Sequence, residues 1–323
     1  MRPISLLNLL QSIEIQYFHP YEILIVDGST NDETAKMLNE NNFQKINYFQ
    51  VEPQFRGLTK QRNFGIAKVA KECDIVAFLD DDTELMPNYF EVLKETFLSD
   101  DKITGVGGIA INENGWRPIK PSEKLNKYRF FEFDGFVYKE GIRNVLRNYL
   151  GLHSNLPPGK MPAYSHGKTC GFPLNGKIYE VDLLIGMSFA FRREVIEQIK
   201  FSTYFEGYGL YEDADFSIRA LQFGKNVINT NLQLNHFHHP SGRPDQYKYG
   251  KMVVRNGWYV WRVKNKKPNY VAIIKWNSIT FLLTLIKFSN TLTTKEKKAA
   301  FTESIGRIVG WLSLIFNKPK LDL

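Results

Sequence analysis

The chain has 323 residues, of which 43% are hydrophobic and 24% are charged. This composition is typical of a globular protein, and it excludes disordered, collagen-like and coiled-coil proteins. The two cysteines, Cys73 and Cys170, lie far apart without CxxC spacing, so we expect neither a disulfide framework nor a cysteine zinc site. We expect no signal peptide, because the first apolar run is short and interrupted.

Positive charge is concentrated in the last quarter of the chain. The formal net charge is +8. From Arg243 onward there are 16 Lys and Arg against 4 Asp and Glu, whereas the preceding residues hold 26 and 30. A block of one sign usually forms a surface for an anionic partner. Nucleic acid and an anionic membrane are therefore the two candidate partners of this region.

The first half of the sequence alternates short apolar runs with segments of helical spacing. We predict strands over 21–26, 46–51, 74–79 and 103–111, and helices over 32–41, 58–71 and 87–99. Repeated strand–helix units of this size are typical of a doubly wound, mostly parallel α/β sheet. Ligands bind at the carboxyl ends of the strands in such sheets. Asp27 and the Asp80–Asp82 cluster each follow a strand, and we expect both to face the same crevice.

The middle of the chain is irregular in pattern. Residues 114–177 are rich in aromatic residues, contain a Pro-Pro-Gly break and are predicted to be a loop-rich excursion with a functional role. We expect regular structure to resume with a strand near 179–184 and a helix that begins near Glu212.

Three consecutive carboxylates, Asp80, Asp81 and Asp82, follow a predicted buried strand. Successive side chains at a strand end point to opposite sides, so Asp80 and Asp82 can converge while Asp81 points away. Two converging carboxylates beside a ligand crevice suit a hard divalent cation that also binds phosphates. The alternative is a solvated turn that caps the next helix.

A second acidic group, Glu212 and Asp213, lies at a predicted helix start. A carboxylate held at a helix N-terminus stays ionised near neutral pH, as a general base must. The alternative is structural, because acidic residues in a first turn complement the helix dipole, and Asp215 with Arg219 forms an i,i+4 pair.

Three of the six histidines, His236, His238 and His239, lie within four positions. In an extended segment His236 and His238 share a face, and an imidazole can complete a metal shell. Arg243 can bind a phosphate through two parallel hydrogen bonds. Solvated or structural roles remain the alternatives for these residues.

Five short segments together resemble the family 2 glycosyltransferases, enzymes with the GT-A nucleotide-sugar-binding fold. Each segment is weakly specific alone, but all five occur in the family's order across about residues 3–243. The segments are Ile25-Val26-Asp27-Gly28-Ser29-Thr30-Asn31-Asp32, Gln61-Arg62-Asn63-Phe64-Gly65-Ile66-Ala67, Phe78-Leu79-Asp80-Asp81-Asp82-Thr83-Glu84-Leu85, Gly186-Met187-Ser188-Phe189-Ala190-Phe191-Arg192-Arg193 and Gly207-Tyr208-Gly209-Leu210-Tyr211-Glu212-Asp213-Ala214-Asp215.

The resemblance implies roles for the matching residues. Asp80 and Asp82 would hold the donor diphosphate through Mn²⁺ or Mg²⁺, and Asp27 would contact the base or ribose of the nucleotide. Asp213 would deprotonate the acceptor hydroxyl, with Glu212 supporting it, in a single displacement that inverts the anomeric centre. The full assignment is Asp213 and Glu212 as catalytic residues, Asp80, Asp82, His236 and His238 as metal ligands, and Asp27, Ser29, Arg62, Asp80, Asp81 and Arg243 as donor-binding residues.

The sequence departs from the family pattern near its start. The turn after Val26 reads Asp-Gly-Ser, one residue shorter than the common Asp-Asp-Gly-Ser. The family's opening strand, an apolar run that would end near Arg2-Pro3, is not present, and its loss would leave unpaired backbone groups in the sheet. We therefore predict that the physiological protein begins upstream of Met1.

The resemblance and the charge distribution together predict two regions. Residues 1–243 form the GT-A domain, with a nucleotide-sugar half at about 1–112 and an acceptor half at about 113–243. Residues 244–323 form a basic helical region.

Two segments of the basic region, 271–288 and 301–317, are mostly apolar with polar residues at helical spacing. Lysines flank both segments. We predict amphipathic helices that lie on anionic lipid at the cytoplasmic face of the plasma membrane. Helices packed on the catalytic domain and true membrane spans are the alternatives.

The predicted function is transfer of a sugar from a nucleotide-sugar donor to a hydroxyl of a glycan or lipid-linked acceptor, in cell-surface polysaccharide synthesis. One alternative is a sugar-phosphate nucleotidyltransferase, although no Gly-rich phosphate loop opens the chain. Another is a non-enzymatic basic protein that binds nucleic acid or membrane. We expect no nucleic-acid partner, because no nucleic-acid-binding motif occurs. A catalytically inactive scaffold is a further alternative because of the missing strand.

Overall fold

The structure is a computed structural model that describes residues 2–238 and 244–321. The helices of these residues are α1 (Pro3–Glu14), α2 (Glu33–Asn41), α3 (Leu58–Ile66), α4 (Tyr89–Ser99), α5 (Ile142–Tyr149), α6 (Arg193–Gln198), α7 (Glu212–Ala220), α8 (Gln246–Lys264), α9 (Tyr270–Thr293) and α10 (Lys297–Phe316). The strands are β1 (Ile23–Asp27), β2 (Ile46–Gln50), β3 (Ile75–Leu79), β4 (Thr83–Leu85), β5 (Ile103–Ala110), β6 (Trp116–Pro118), β7 (Phe130–Phe133), β8 (Phe136–Lys139), β9 (Ile178–Val181), β10 (Ser188–Arg192) and β11 (Lys225–His236).

The predicted elements of the first half are present, with small differences at their ends. Strands β1, β2, β3 and β5 and helices α2 and α4 confirm the predicted pattern. Helix α3 ends at Ile66 rather than near Lys71. Gly65 has low helix propensity, and the chain leaves the helix through a tight turn in which the Lys68 N–H donates to the Gly65 carbonyl, three residues earlier.

The chain divides into two compact units. The first comprises residues 1–114 and 174–241, and we call it the sheet unit. The second comprises residues 115–173 and 242–323, and we call it the helical unit.

A central sheet with strand order β3-β10-β5-β11-β4 organises the sheet unit, and β9 pairs with β11. Strands β3 and β5 each pair antiparallel with β10, so they run parallel to one another, and β11 is parallel to β5. Among the described residues, β5 and β11 form the one parallel pair of the central sheet, and its other four strand pairs are antiparallel. The sheet is therefore mixed, whereas the sequence predicted a mostly parallel one. Buried side chains of α1 and α4, such as Leu10 and Phe97, form the core against this sheet.

Strands β1 and β2 form a separate parallel pair in the described part of the chain. No pairing joins β1 to β3 among these residues. One side of β1 and one side of β3 therefore have no strand partner among the described residues, although on that side of β1 the Val26 carbonyl accepts a hydrogen bond from the Gln61 side chain at 2.7 Å. The prediction that the protein begins upstream of Met1 stays a prediction.

The helical unit contains more regular structure than the sequence predicted. Within the excursion 114–177, strands β6, β8 and β7 form a small antiparallel sheet, and α5 follows it. Trp116 packs edge-on against Phe131 and Phe133 and donates its indole N–H to the Cys170 carbonyl at 3.0 Å. Aromatic residues that marked the excursion in the sequence therefore pack on one another around this small sheet, and they are partly buried.

Candidate active site

Asp27, the Asp80–Asp82 cluster and His236 lie where strands of the sheet unit end. Asp27 is the last residue of β1, and Asp80 directly follows β3. Strand β4 pairs with the end of β11, with Thr83 opposite His236. This pairing brings the Asp80–Asp82 turn beside His236, at the edge where the carboxyl ends of the parallel strands meet.

The carboxylate of Asp27 is held by its own turn. One oxygen accepts hydrogen bonds from the backbone N–H of Ser29 at 2.8 Å and from the Ser29 hydroxyl, and the other accepts one from the Tyr48 hydroxyl at 3.0 Å. Burial raises the pKa of Asp27, but these hydrogen bonds outweigh it and hold the pKa below its usual value. Burial and the Asp27 carboxylate together raise the pKa of Tyr48 to about 12.

Arg2 pairs with the second and third aspartates of the cluster. Its Nε donates to Asp81 Oδ2 at 2.9 Å, and its Nη1 donates to Asp82 Oδ2 at 3.0 Å. Burial raises the pKa of Asp81 above its usual value despite this partner. Arg2 offsets part of the repulsion among the three carboxylates. Sequence reasoning missed this residue, since 79 positions separate it from Asp81.

Asp80, Asp82 and His236 form a group that can hold a metal ion. Each offers a ligand atom within 4.8 Å of the other two, and His236 Nε2 lies 3.5 Å from Asp82 Oδ1. Two carboxylate oxygens and an imidazole nitrogen are donors that a divalent ion accepts. Burial raises the pKa of Asp80 to about 6. Burial lowers the pKa of His236, but the Asp82 carboxylate raises it by more, so the pKa of His236 lies above its usual value.

His238 lies in a second group, with Glu113 and His236. His238 Nε2 lies 2.7 Å from Glu113 Oε1, and His236 Nδ1 lies 3.2 Å from the same oxygen. His236 therefore faces Asp82 with one nitrogen and Glu113 with the other. Sequence reasoning did not select Glu113, although the strand-end criterion could have found it, because it lies in the short turn after β5.

Arg62 connects the two acidic groups. From α3, its Nη1 donates to Glu212 Oε1 at 2.6 Å, and its Nη2 donates to the Gly186 carbonyl at 3.1 Å and to Asp80 Oδ1 at 3.4 Å. The guanidinium also lies 4.9 Å from the ring centre of Phe189. Burial lowers the pKa of Arg62, but Glu212 and Asp80 raise it above normal, so its charge is fixed.

Glu212 and Asp213 begin α7, after Tyr211 in a left-handed conformation with φ +72°. Glu212 is buried, and burial raises its pKa to about 8 despite Arg62. Burial therefore opposes the effect of the helix N-terminus on the charge of Glu212. The Asp213 carboxylate accepts hydrogen bonds from the backbone N–H groups of Gly186 at 2.9 Å and Ala214 at 2.8 Å, which hold it in place.

The predicted i,i+4 pair is also present, since Arg219 Nη2 donates to the buried Asp215 at 2.6 Å. Two residues selected from the sequence, His239 and Arg243, lie outside the described residues.

The part of the chain that holds most of these residues is similar to a known protein family. Residues 3–150 match the family described as glycosyl transferase family 2. The matched part contains Asp27, Arg62 and the Asp80–Asp82 cluster, and the match confirms the resemblance inferred from the sequence. A search of curated proteins finds no significant match.

Two solved structures have similar folds. The first is the mannosyltransferase PcManGT from Pyrobaculum calidifontis in complex with GDP-Man and Mn2+, at TM-score 0.51 and 12% identity, covering 98% of this chain and 85% of that one. The second is GalNAc-T7 with UDP, GalNAc and Mn2+, at TM-score 0.52 and 16% identity, covering 99% of this chain and 56% of that one. These likenesses confirm the predicted GT-A α/β fold, and residues 3–150 are similar to the glycosyl transferase family 2.

Proposed function

We propose that this protein is an inverting, divalent-metal-dependent glycosyltransferase that moves a sugar from a nucleotide-sugar donor to a hydroxyl of a glycan or lipid-linked acceptor, in cell-surface polysaccharide synthesis. The observation that carries the proposal is the network in which Arg62 joins Glu212 to Asp80, beside the group of Asp80, Asp82 and His236. The two similar structures, each with a nucleotide or nucleotide sugar and Mn2+, support the same class of chemistry.

The acidic group fits a divalent cation. Burial raises the pKa of Asp80, and a bound cation would stabilise the ionised form of this carboxylate. The pKa of His236 is raised, against the effect of burial, by the carboxylates around it. Mn²⁺ or Mg²⁺ bound to Asp80, Asp82 and His236, with His238 as a further ligand, would neutralise the charge that develops on the leaving diphosphate. Asp27, Ser29, Arg62, Asp80, Asp81 and Arg243 would bind the donor.

Asp213 is the proposed general base. Its carboxylate takes the proton of the acceptor hydroxyl while that oxygen forms a bond to the anomeric carbon, and the bond from this carbon to the diphosphate oxygen breaks. Backbone donors from Gly186 and Ala214 orient the carboxylate for this transfer. Glu212 supports Asp213 by holding Arg62 beside it.

We also propose that the basic C-terminal region places the enzyme on an anionic membrane at the cytoplasmic face. Five exposed lysines flank α9 and support this location: Lys266, Lys267, Lys295, Lys297 and Lys298. Lysines near a lipid surface favour anionic headgroups.

The test of the proposed reaction separates donor binding from transfer. A panel of nucleotide sugars is screened by thermal shift with Mn²⁺ or EDTA, and nucleoside diphosphate release is measured with candidate acceptors. Asp82→Ala should lose metal-dependent donor binding. Asp213→Asn should keep donor binding and lower transfer by roughly 100-fold or more. Asp100→Asn is the control, since Asp100 is an exposed partner of Lys225 outside the site. Normal turnover by Asp213→Asn would contradict the assigned base.

A further inference from the structure

The polar stripe of α9 faces the interior of the helical unit. The sequence placed Asn277, Thr280, Thr284 and Lys287 on one side of this helix. In the structure Asn277 Oδ1 accepts the Trp311 indole N–H at 2.8 Å, and Thr284 is buried. Lys287 Nζ lies 2.6 Å from Glu303 Oε2 on α10. The polar side of α9 is therefore turned towards α10.

The polar side of α10 also faces its neighbouring helices. Glu303 is only 3% exposed and accepts from Lys287 and from Arg307, whose Nε lies 2.9 Å from Glu303 Oε1. On the same side, Gly306 packs directly on the Tyr247 carbonyl of α8. The charged and small residues of α10 thus lie between helices.

The apolar sides of both helices face outward. Phe281 lies 6.2 Å from Trp311 between ring centres, and Phe288 lies 6.2 Å from Phe301, so the two outer sides join into one surface. We call this surface the outer apolar face, and its exposed members are Val271, Ile274, Phe281, Leu285, Phe288, Leu292, Phe301, Ile308, Leu312 and Ile315.

The polarity of α10 is the reverse of that of a surface helix in water, whereas α9 buries Trp276 and Ile279 as well as Thr284. A helix at a water-exposed surface buries its apolar stripe and exposes its polar stripe. Helices in lipid instead face hydrocarbon with apolar side chains and satisfy polar groups among themselves. Glu303 forms its ion pairs with Lys287 and Arg307 between the helices. These charged groups therefore have partners within the protein and do not need water or lipid headgroups at the outer apolar face.

The positions of the lysines indicate whether the helices cross the membrane or lie along its surface. By length and composition, α9 and α10 are both able to cross a membrane. Crossing by α9 would place Lys266 and Lys267 on one side and Lys295, Lys297 and Lys298 on the other, against the usual concentration of positive charge on one side. Helices that lie along the surface place all five lysines among headgroups.

We propose that the outer apolar face is embedded in the hydrocarbon of one membrane leaflet, with α9 and α10 lying along the membrane. The proposal rests on the membrane location proposed above and adds the mode of attachment. Attachment is then mainly hydrophobic, and the lysines add to it on anionic lipid.

The test is flotation of the full chain with phosphatidylcholine vesicles and with phosphatidylcholine–phosphatidylglycerol vesicles. We expect binding to both, retained at about 1 M NaCl, where electrostatic screening acts within about 3 Å. Phe281→Gln with Leu312→Gln should lower the partition coefficient by roughly 100-fold, because two large apolar side chains leave hydrocarbon. The matched control is Ile4→Gln with Leu98→Gln, which removes two exposed apolar residues of the sheet unit and should leave partitioning unchanged.

Each other outcome has a definite meaning. Binding only to anionic vesicles, lost at high salt, would overturn embedding and leave the surface location intact. A soluble dimer that ignores both vesicle types would show that a second copy covers the face, and would overturn the membrane location too. Protection of Lys297 from trypsin added to bound protein would show a crossing helix. Nucleoside diphosphate release by the variants reports on the glycosyltransferase proposal separately.

Discussion

Arg62 is the residue on which the two acidic groups of the site depend. Its side chain is 9% exposed, and its guanidinium contacts Glu212, Asp80 and the Gly186 carbonyl. Replacement by methionine keeps much of the volume but leaves the Glu212 carboxyl buried without its partner. We expect Arg62→Met to lower the free energy of unfolding by about 1–3 kcal/mol, measured by urea denaturation, because a buried acceptor loses its donor.

The control lies on the same helix. Lys60 pairs with Glu206 at 3.3 Å where both side chains are more exposed, so Lys60→Met should change stability by less than about 1 kcal/mol. Equal losses in the two variants would show that Arg62 is only a surface ion pair.

Glu212 predicts a dependence of stability on pH. Its pKa is raised from 4.5 to about 8 in the folded protein, so the folded state holds a proton that the unfolded state releases. The resulting stabilisation is complete below about pH 4.5 and is lost as the pH rises towards 8. Relative to Glu212→Gln, the wild-type protein should therefore have its highest melting temperature at low pH. A constant difference between pH 5 and pH 8 would contradict the raised pKa.

At this scale the sequence indicated kinds of residue better than partnerships. Strand-end position selected Asp80 and Asp82, and the clustering of histidines selected His236, and the fold brings these three residues together. The Arg2 pair with Asp81 and Asp82 depends on tertiary contacts across the chain, and no local pattern encodes it.

At the scale of elements, the contact between α8 and α10 depends on glycine. A Cβ at Gly306 would overlap the Tyr247 carbonyl oxygen, and a Cβ at Gly250 would overlap the Glu303 carbonyl oxygen. Because backbone atoms cannot yield as a flexible side chain can, Gly306→Ala should separate the helices and destabilise the protein by about 1–3 kcal/mol.

Gly141→Ala is the matched control for this prediction. Gly141 has φ −69° and nothing within 4 Å of an added Cβ, so its replacement should cost less than about 1 kcal/mol, the effect of alanine at the N-cap of α5. Thermal unfolding of both variants provides the comparison, and an unaffected Gly306→Ala would exclude close backbone contact between α8 and α10.

Helices α9 and α10 show what periodicity leaves open. The spacing of polar residues correctly indicated a polar side on each helix, including Thr284, Lys287, Glu303 and Arg307. It did not indicate what that side faces, because a polar stripe suits water and a polar interior equally well. The neighbouring helix, through the Lys287–Glu303 contact, decides the orientation.

At the scale of the whole molecule, β1 and β3 each have one side without strand pairing among the described residues. The bonds from Ile23 N–H to the Lys45 carbonyl and from Val51 N–H to the Asp27 carbonyl place the odd-numbered residues of β1 towards β2. The amides of Leu24 and Val26 therefore point away from β2. We expect both amides to exchange hydrogen faster than that of Ile25, measured by hydrogen exchange with NMR detection. Equal protection of the three would show that this side is paired.

These two unpaired sides also bear on how the protein behaves at high concentration. An unpaired strand side is a template for any extended segment, whether from the same chain or from a neighbouring molecule. A strand added to either side would remove that template. Without such a strand, we expect self-association to rise with protein concentration. A short peptide of matching apolar alternation should pair with the side of β1 that lacks a strand partner, next to Asp27, and should lower the self-association.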